Sequence, residues 1–279
     1  MRFDRGRKTG ALQPPLTTGA MMLLLIGVLV GGTFVGPAPA ADAPMGPVIP
    51  LDAKTAGDLQ VFGEGVVGKA VPAPPLENLE QYLNVGSGHW TYKIVSGKEG
   101  NNVRVESYTQ IPDPDGGKAW KRSVGDEYNE YIRMHPDGSL AKYAEDDVDV
   151  GYGADIVPGI LVPVGMKPGE TRVIESQIRA FKMKSPDEIE YTGKTTTRFT
   201  YMGAYEVHTP AGTWPAALVR NEFEVHIGPA NVKDTVYAFY ADRVGKIAEI
   251  EAMNISALFV YHSNQKTVKI LAEEPVRTD

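Results

Sequence analysis

Apolar and polar side chains alternate along most of the chain from His89 onward. A period of two is the spacing of a β-strand, because successive side chains of a strand point to opposite faces. The clearest example runs from Leu218 to Ile227 and predicts an antiparallel strand with one buried face. Its apolar face would hold Val219, Phe223, Val225 and Ile227, and its polar face Arg220, Glu222, Glu224 and His226.

The same alternation, interrupted by turn-forming proline and glycine, predicts about a dozen strands. Helices long enough to connect parallel strands are missing between them, so the strands must pair mainly antiparallel. We therefore expect an all-β fold, in which residues 83–279 form one large, curved antiparallel sheet, a half-barrel or barrel-like meander. Curling would also protect the sheet edges from aggregation. Besides Leu218 to Ile227, the predicted strands include Asn102 to Gln110, Lys118 to Val124, Tyr128 to Met134, Leu140 to Ala144, Thr171 to Met183, Ile189 to Arg198, Thr235 to Ala241, Lys246 to Met253, Ser256 to His262 and Thr267 to Leu271.

Residues 1–40 have the pattern of a cleaved secretion signal. Basic residues from Arg2 to Lys8 precede an uncharged run from Met21 to Val35, and Ala38-Pro39-Ala40 supplies the small residues that signal peptidase requires. The run is shorter than the roughly 20 residues that span a bilayer, which favours cleavage after Ala40 over a retained anchor. We therefore expect a periplasmic or secreted protein without stable membrane insertion after cleavage.

Cysteine content and charge exclude several classes of function. The chain has no cysteine, which excludes thiol catalysis, thiolate metal sites and lipid attachment at the cleavage site. Its formal net charge of −7 opposes binding to nucleic acid, whose affinity comes largely from cations that neutralise phosphates. We expect no nucleic-acid partner.

Residues 41–82 are rich in proline, glycine and alanine and predict an extended arm or linker. Within the arm, Asp58 to Val67 is a candidate for a short strand. The leucines between Leu76 and Leu83 recur at helical spacing and predict a short helix. We expect at most one such helix in the whole chain.

The sequence contains no specific catalytic or metal-binding motif. The five histidines, at positions 89, 135, 208, 226 and 262, lack the spacing of paired metal ligands. The acidic run from Glu145 to Asp155 is a candidate Ca²⁺ site, but it lacks EF-hand spacing and is more typical of a solvated loop. Gly63 to Gly68 has dinucleotide-binding spacing without a βαβ unit around it. We therefore expect no cofactor, no metal and no catalytic residue.

Aromatic residues offer the strongest hint of a ligand, because the chain has 13 Tyr, 8 Phe and 3 Trp, many at alternating positions. On the concave side of a curved sheet, tyrosines can line a pocket for a lipid chain or a sugar face, although some must be core. The predicted ligand-binding residues are Tyr201, Tyr205, Trp214, Phe223, Tyr237, Phe239 and Tyr240.

Two segments of the C-terminal half carry a family resemblance. Tyr205 to Ala216 contains Thr209-Pro210-Ala211-Gly212-Thr213-Trp214, and Val236 to Ile247 contains Tyr240-Ala241-Asp242-Arg243-Val244-Gly245. Together with Leu161 to Glu170, they resemble an exported bacterial family of unknown function that has a lipoprotein-carrier-like curved sheet. The resemblance covers about residues 160–255 and implies a curved β fold, an envelope location and an apolar or glycan ligand. It implies no catalytic residue.

These observations favour a non-enzymatic binding protein of the cell envelope that holds a lipid-like or other amphipathic small molecule. One alternative is a glycan- or ester-hydrolysing enzyme that uses Glu222 and Glu224, or Asp146 and Asp147. Another is an accessory subunit that contacts an envelope protein partner. The orientation of the strand from Leu218 to Ile227 separates these hypotheses. If its polar face lines a closed interior, an enzyme or a polar-ligand site is favoured; if that face points to solvent, the binding protein is favoured.

Overall fold

The computed structural model describes residues 46–83, 86–97, 102–113, 115–257 and 261–278; the predicted signal lies outside these ranges. The described residues form two short α-helices, a 3₁₀ turn at Gln60–Phe62 and fifteen β-strands. The helices are α1 (Ala53–Leu59) and α2 (Leu79–Leu83). The strands are β1 (Val67–Val71), β2 (Gly88–Ser96), β3 (Val103–Pro112), β4 (Lys118–Val124), β5 (Tyr128–Met134), β6 (Leu140–Asp147), β7 (Tyr152–Val157), β8 (Ile160–Val162), β9 (Thr171–Lys182), β10 (Ile189–Thr209), β11 (Gly212–Ile227), β12 (Ala230–Ala241), β13 (Gly245–Ala257), β14 (Tyr261–Leu271) and β15 (Val276–Arg277).

Twelve of these strands close into an antiparallel barrel, which confirms the predicted all-β fold and its curved, antiparallel sheet. Strand β9 links the two halves of the ring, because Ile178 pairs with Ile156 of β7 on one side and with Gly193 of β10 on the other. The remaining strands β1, β8 and β15 pair with β10, β6 and β2 respectively. The helices that the structure describes are too short to cross a membrane.

Neighbouring strands of the barrel follow the order of the chain, from β2 to β7 and from β9 to β14. The ring is completed where β14 pairs with β2. This pairing joins Val268–Leu271 to Tyr92–Ser96 and contains a register shift next to Lys269. The barrel is therefore an up-and-down meander with one joint between its first and last strands.

The arm packs on the barrel. Its strand β1 extends the sheet beside β10, and the backbone N–H of Leu76 donates to the carbonyl of Met166. Ala73, Leu76 and Leu79 belong to a buried cluster with Met166 and Phe199, and Phe199 also lines the barrel interior. The second half of the arm thus helps to close one end of the interior.

Two predicted strands are wrong, and one helix was missed. Asp58 to Val67 contains the end of α1, the 3₁₀ turn and a reverse turn, and the strand begins only at Val67. Asp52 caps α1, because its Oδ1 accepts from the Thr55 backbone N–H at 2.9 Å. The predicted single strand from Ser256 to His262 is wrong, because Ser256 of β13 pairs with His262 of β14 in an antiparallel ladder. Residues 258–260 lie outside the described ranges.

The short helix predicted between Leu76 and Leu83 is confirmed as α2. It follows Asn78, whose side-chain oxygen accepts from the backbone N–H of Gln81 at 3.4 Å. With α1, the described residues contain two short helices where the sequence predicts at most one.

Candidate functional site

The barrel encloses a cavity of about 730 Å³. One side of the cavity, formed by β7 and β9–β12, is mainly apolar, and the other, formed by β3–β6, β13 and β14, is strongly charged. We call these sides the apolar wall and the charged wall. The apolar wall comprises Ile156, Ile178, Phe199, Phe223, Val225, Ile227, Val232 and Val236. The charged wall comprises Arg122, Glu130, Lys142, Glu145, Lys246, Glu249 and Lys269, with the fully buried Glu106 behind them.

Glu106 lies at the centre of the charged wall. Its Oε2 accepts from Arg122 Nε at 2.8 Å, and its Oε1 accepts from Lys269 Nζ at 2.5 Å. Burial by itself would raise the pKa of Glu106, but the charges of Arg122 and Lys269 outweigh it and hold the pKa well below its usual range. Glu106 is therefore ionised and paired with both cations.

Ion pairs extend from this centre in two directions. Toward β5, Arg122 Nη1 donates to Glu130 Oε2 at 2.5 Å, and the pKa of Glu130 falls to about 2 because the charge of Arg122 overcomes burial. Toward β13, Lys269 Nζ donates to Glu249 Oε1 at 2.7 Å, and Lys246 also contacts Glu249. These two lysines overcome burial and lower the pKa of Glu249 to about 2.

Lys142 continues the network along β6. Its Nζ donates to Glu145 Oε2 at 2.6 Å and lies 3.6 Å from Glu130 Oε1. The Tyr128 hydroxyl donates to the same Glu145 oxygen at 2.7 Å. The charged wall is thus a connected set of mutually paired side chains, in which Glu106, Glu130 and Glu249 are held as anions.

One carboxylate on the inner face stands outside this network. Asp234 of β12 is only 3% exposed and shares its strand face with Val232 and Val236 of the apolar wall. Its carboxylate has no side-chain hydrogen-bond partner within the described ranges, and the backbone N–H groups of Thr235 and Ala252 lower its pKa only in part. Burial, followed by the negative charge of Glu251, raises the pKa of Asp234 to about 7.

Glu251 of β13 lines the cavity close to Asp234. Among the described residues, no hydrogen bond or ion pair holds its side chain. Burial and the neighbouring charge of Glu249 raise its pKa, whereas Lys269 and Lys246 partly offset the rise. Asp234 and Glu251 therefore differ from the paired carboxylates of the charged wall.

Of the seven predicted ligand-binding aromatics, Phe223 and Tyr240 line the cavity. Three others direct their hydroxyls to the arm: Tyr201 donates to the carbonyl of Pro74 at 3.0 Å, Tyr205 to that of Ile49 at 3.0 Å, and Tyr237 to Asp58 at 2.7 Å. The remaining two, Trp214 and Phe239, belong to the hydrophobic cluster that includes Leu59 and Phe62 of the arm region.

The polar face of β11 points away from the cavity. The side chains of Glu222, Glu224 and His226 are 42%, 43% and 62% exposed, and Lys233 Nζ lies 2.9 Å from Glu224. Phe223, Val225 and Ile227 from the opposite face line the interior. By the criterion set from the sequence, this arrangement favours binding over catalysis.

The described residues contain no group of three or more side chains that could hold a metal ion. The acidic run is dispersed, because Glu145 pairs with Lys142, Asp146 accepts from the Tyr131 hydroxyl at 2.9 Å, and Asp147 accepts from the backbone N–H of Val150. Four histidines make contacts near the surface with Ser107, Asp137, Thr213 and Asn231, and two of them also lie beside Glu206 and Glu224. The side chain of His262 lies outside the described residues.

No protein-family model matches the chain, and no curated protein matches it. A solved structure from Bacteroides fragilis, described as an exported protein with a YmcC-like fold, is 12% identical, with a TM-score of 0.41 over 74% of this chain and 100% of its own. Another from Parabacteroides distasonis, described as a lipoprotein, is 14% identical, with a TM-score of 0.33 over 67% of this chain and 94% of its own. Neither likeness assigns the chain to a family, and the resemblance over residues 160–255 stays a prediction.

The charged wall was not identified by the sequence analysis. Its signal is present on β3, where Arg104, Glu106 and Tyr108 alternate with Val103 and Val105. The two valines are 64% and 45% exposed, so the charged face points inward. Alternation alone could have separated the two faces of this strand, but it could not have shown which face points inward.

Proposed function

We propose that the chain is an exported, non-enzymatic binding protein of the cell envelope that holds an amphipathic, lipid-like molecule inside its barrel. The observation that carries this proposal is the cavity of about 730 Å³ with an apolar wall opposite a charged wall. An amphipathic ligand would place its apolar chain on the apolar wall and its polar group toward the charged side. The secretion signal predicted in residues 1–40 supports export, to the periplasm or beyond.

The chemistry of the walls supports binding rather than hydrolysis. Glu106, Glu130 and Glu249 have lowered pKa values and paired oxygens, so they are held as anions and do not supply protons. Glu222 and Glu224, named from the sequence as catalytic alternatives, lie on the outer face of β11. The pair of carboxylates that the sequence offered on β11 is therefore not presented to the cavity for acid–base chemistry.

The test is native mass spectrometry of the protein after expression of the full chain and purification from the envelope or the medium. We expect a stoichiometric mass increment, and organic extraction should release an amphiphile. A clean mass of the unliganded protein, together with failure to take up added amphiphiles, would contradict the proposal.

A matched pair of variants on β9 locates the ligand. Ala180 lines the cavity, whereas Val173 on the same strand is 51% exposed. Ala180→Phe should fill part of the cavity and reduce the bound ligand at least tenfold, while Val173→Phe should retain it. Equal occupancy in both variants would place the ligand outside the barrel.

A further inference from the structure

The inner surface of the barrel carries more acids than bases. The cavity lining contains five Lys and Arg residues and six Asp and Glu residues, and the buried Glu106 and Asp234 on the same inner surface add to the acids. Arg122, Lys142, Lys246 and Lys269 each contact a carboxylate, and Arg104 is not free either. The interior therefore has no spare positive charge for an anionic ligand.

Asp234 and Glu251 are two acids of this inner surface that no basic side chain pairs with in the described ranges. Asp234 pairs with Met253 across the β12–β13 ladder, and Glu251 pairs with Val236, so the two carboxylates are diagonal neighbours on the inner face. Diagonal neighbours have Cα atoms about 7–8 Å apart, close enough for one small group to contact both side chains. Both lack ion-pair partners within the described ranges, and Asp234 is 97% removed from solvent, being 3% exposed.

An aromatic ring completes the arrangement. Phe223 of β11 pairs directly with Asp234 and lines the cavity. Cations bind favourably over the face of an aromatic ring, most strongly where water is excluded. We propose that Asp234, Glu251 and Phe223 form a subsite for the ammonium group of a cationic amphiphile. This subsite specifies the head group of the ligand proposed above and therefore rests on that proposed function.

The surroundings favour an organic cation over a metal ion. Ca²⁺ and Zn²⁺ require at least four ligands in most protein sites, and no such group is found in the part of the chain that the structure describes. Val232, Val236 and Met253, which flank Asp234, supply apolar contact rather than oxygen ligands. An ammonium group attached to an alkyl chain satisfies both the carboxylates and these apolar neighbours.

The inference is tested with three probes that share a ten-carbon chain: decylammonium, decanoate and decyl maltoside. Their affinities are measured at pH 7 by isothermal titration calorimetry on protein purified after expression of the full chain. We expect decylammonium to bind most tightly. Asp234→Asn should weaken it at least tenfold, because it loses a charge-assisted contact, and should leave decyl maltoside within about twofold.

Two further variants control for structural effects. Glu251→Gln should weaken decylammonium in the same direction, whereas Glu222→Gln on the outer face should change no affinity. If decanoate or decyl maltoside binds while decylammonium binds no more tightly, or if both inner variants leave decylammonium unchanged, the subsite is overturned and the proposed function stands. If none of the three probes binds, both proposals are overturned.

Discussion

Strands β3 and β11 belong to the same barrel but alternate in opposite senses. On β11, Phe223 faces the cavity and Glu224 faces solvent, as expected for a sheet with a buried face. On β3, Glu106 is fully buried, whereas Val103 and Val105 are 64% and 45% exposed. The comparison teaches that the period of a strand defines two faces, while distant partners decide which face becomes the interior.

The apolar wall and the charged wall stabilise the barrel through different interactions. The apolar wall gains stability from burial in proportion to the area removed from water. The charged wall is stable only while its carboxylates and cations remain paired, because removal of one partner leaves a buried charge without compensation. Substitutions in the two walls should therefore differ in size and in pH dependence.

The largest expected effect is at the centre of the charged wall. Glu106→Ala deprives both Arg122 and Lys269 of a carboxylate and should lower the free energy of unfolding by about 5 kcal/mol. Urea denaturation measures the change. Glu222→Ala on the outer face of β11 is the control and should stay within about 0.5 kcal/mol. Similar losses in the two variants would remove the distinction between inner and outer carboxylates.

The second-largest expected effect is a gain in the free energy of unfolding rather than a loss. Asp234 has a pKa of about 7, above the ordinary aspartate value of 3.8, so ionisation favours the unfolded state as pH rises between these values. Asp234→Asn removes this dependence. Relative to wild type, the variant should gain on the order of 4 kcal/mol in unfolding free energy between pH 3 and pH 8. A pH-independent difference in urea denaturation would contradict the unpaired state of Asp234.

The carboxylates of the charged wall should respond to acid in the reverse direction. Glu249 has a pKa of about 2, below the ordinary glutamate value of 4.5, so its stabilising contribution is present above about pH 4.5 and is lost as pH falls toward 2. The stability advantage of wild type over Glu249→Gln should shrink by about 3 kcal/mol between pH 6 and pH 2. Glu222→Gln, measured in parallel, should show no such convergence.

The smallest effect concerns neutral hydrogen bonds that attach the arm. Tyr205→Phe removes the donor to the Ile49 carbonyl and should cost about 1 kcal/mol, with faster proteolysis near Ile49. Tyr82→Phe is the control, since the Tyr82 hydroxyl has no hydrogen-bond partner among the residues described. If Tyr205→Phe lowers the free energy of unfolding as much as Glu106→Ala, the buried ion pairs would not be stronger than a neutral hydrogen bond.

Much of the fold could be predicted because its signals are local. The alternation predicted most of the barrel strands, and the turn-forming residues Pro136-Asp137-Gly138 stand at the reversal between β5 and β6, where Gly138 has a φ of +88°. The length of β10 could not be predicted. Its 21 residues pair with β9 along one half and with β1 along the other, and this change of partner has no local pattern.

The candidate site could be predicted only on its apolar side. Phe223 follows from the amphipathic pattern of β11, but the burial of Glu106 depends on cations contributed by β4 and β14. Tyr201 and Tyr205 show a second limit. A tyrosine ring with a hydrogen-bonded hydroxyl suits a ligand pocket and a packed core equally well, and here the acceptors are arm carbonyls.

Within the described residues, the joint between β14 and β2 has four residue pairs, whereas β11 and β12 share twelve. Lys269 of β14 reaches past β2 to Glu106 of β3, and the two residues are 163 positions apart in the chain. Bringing such distant segments together carries a larger loop-closure entropy than forming any single hairpin of the meander. The Lys269–Glu106 ion pair therefore adds a buried side-chain contact across a joint whose described backbone ladder is short.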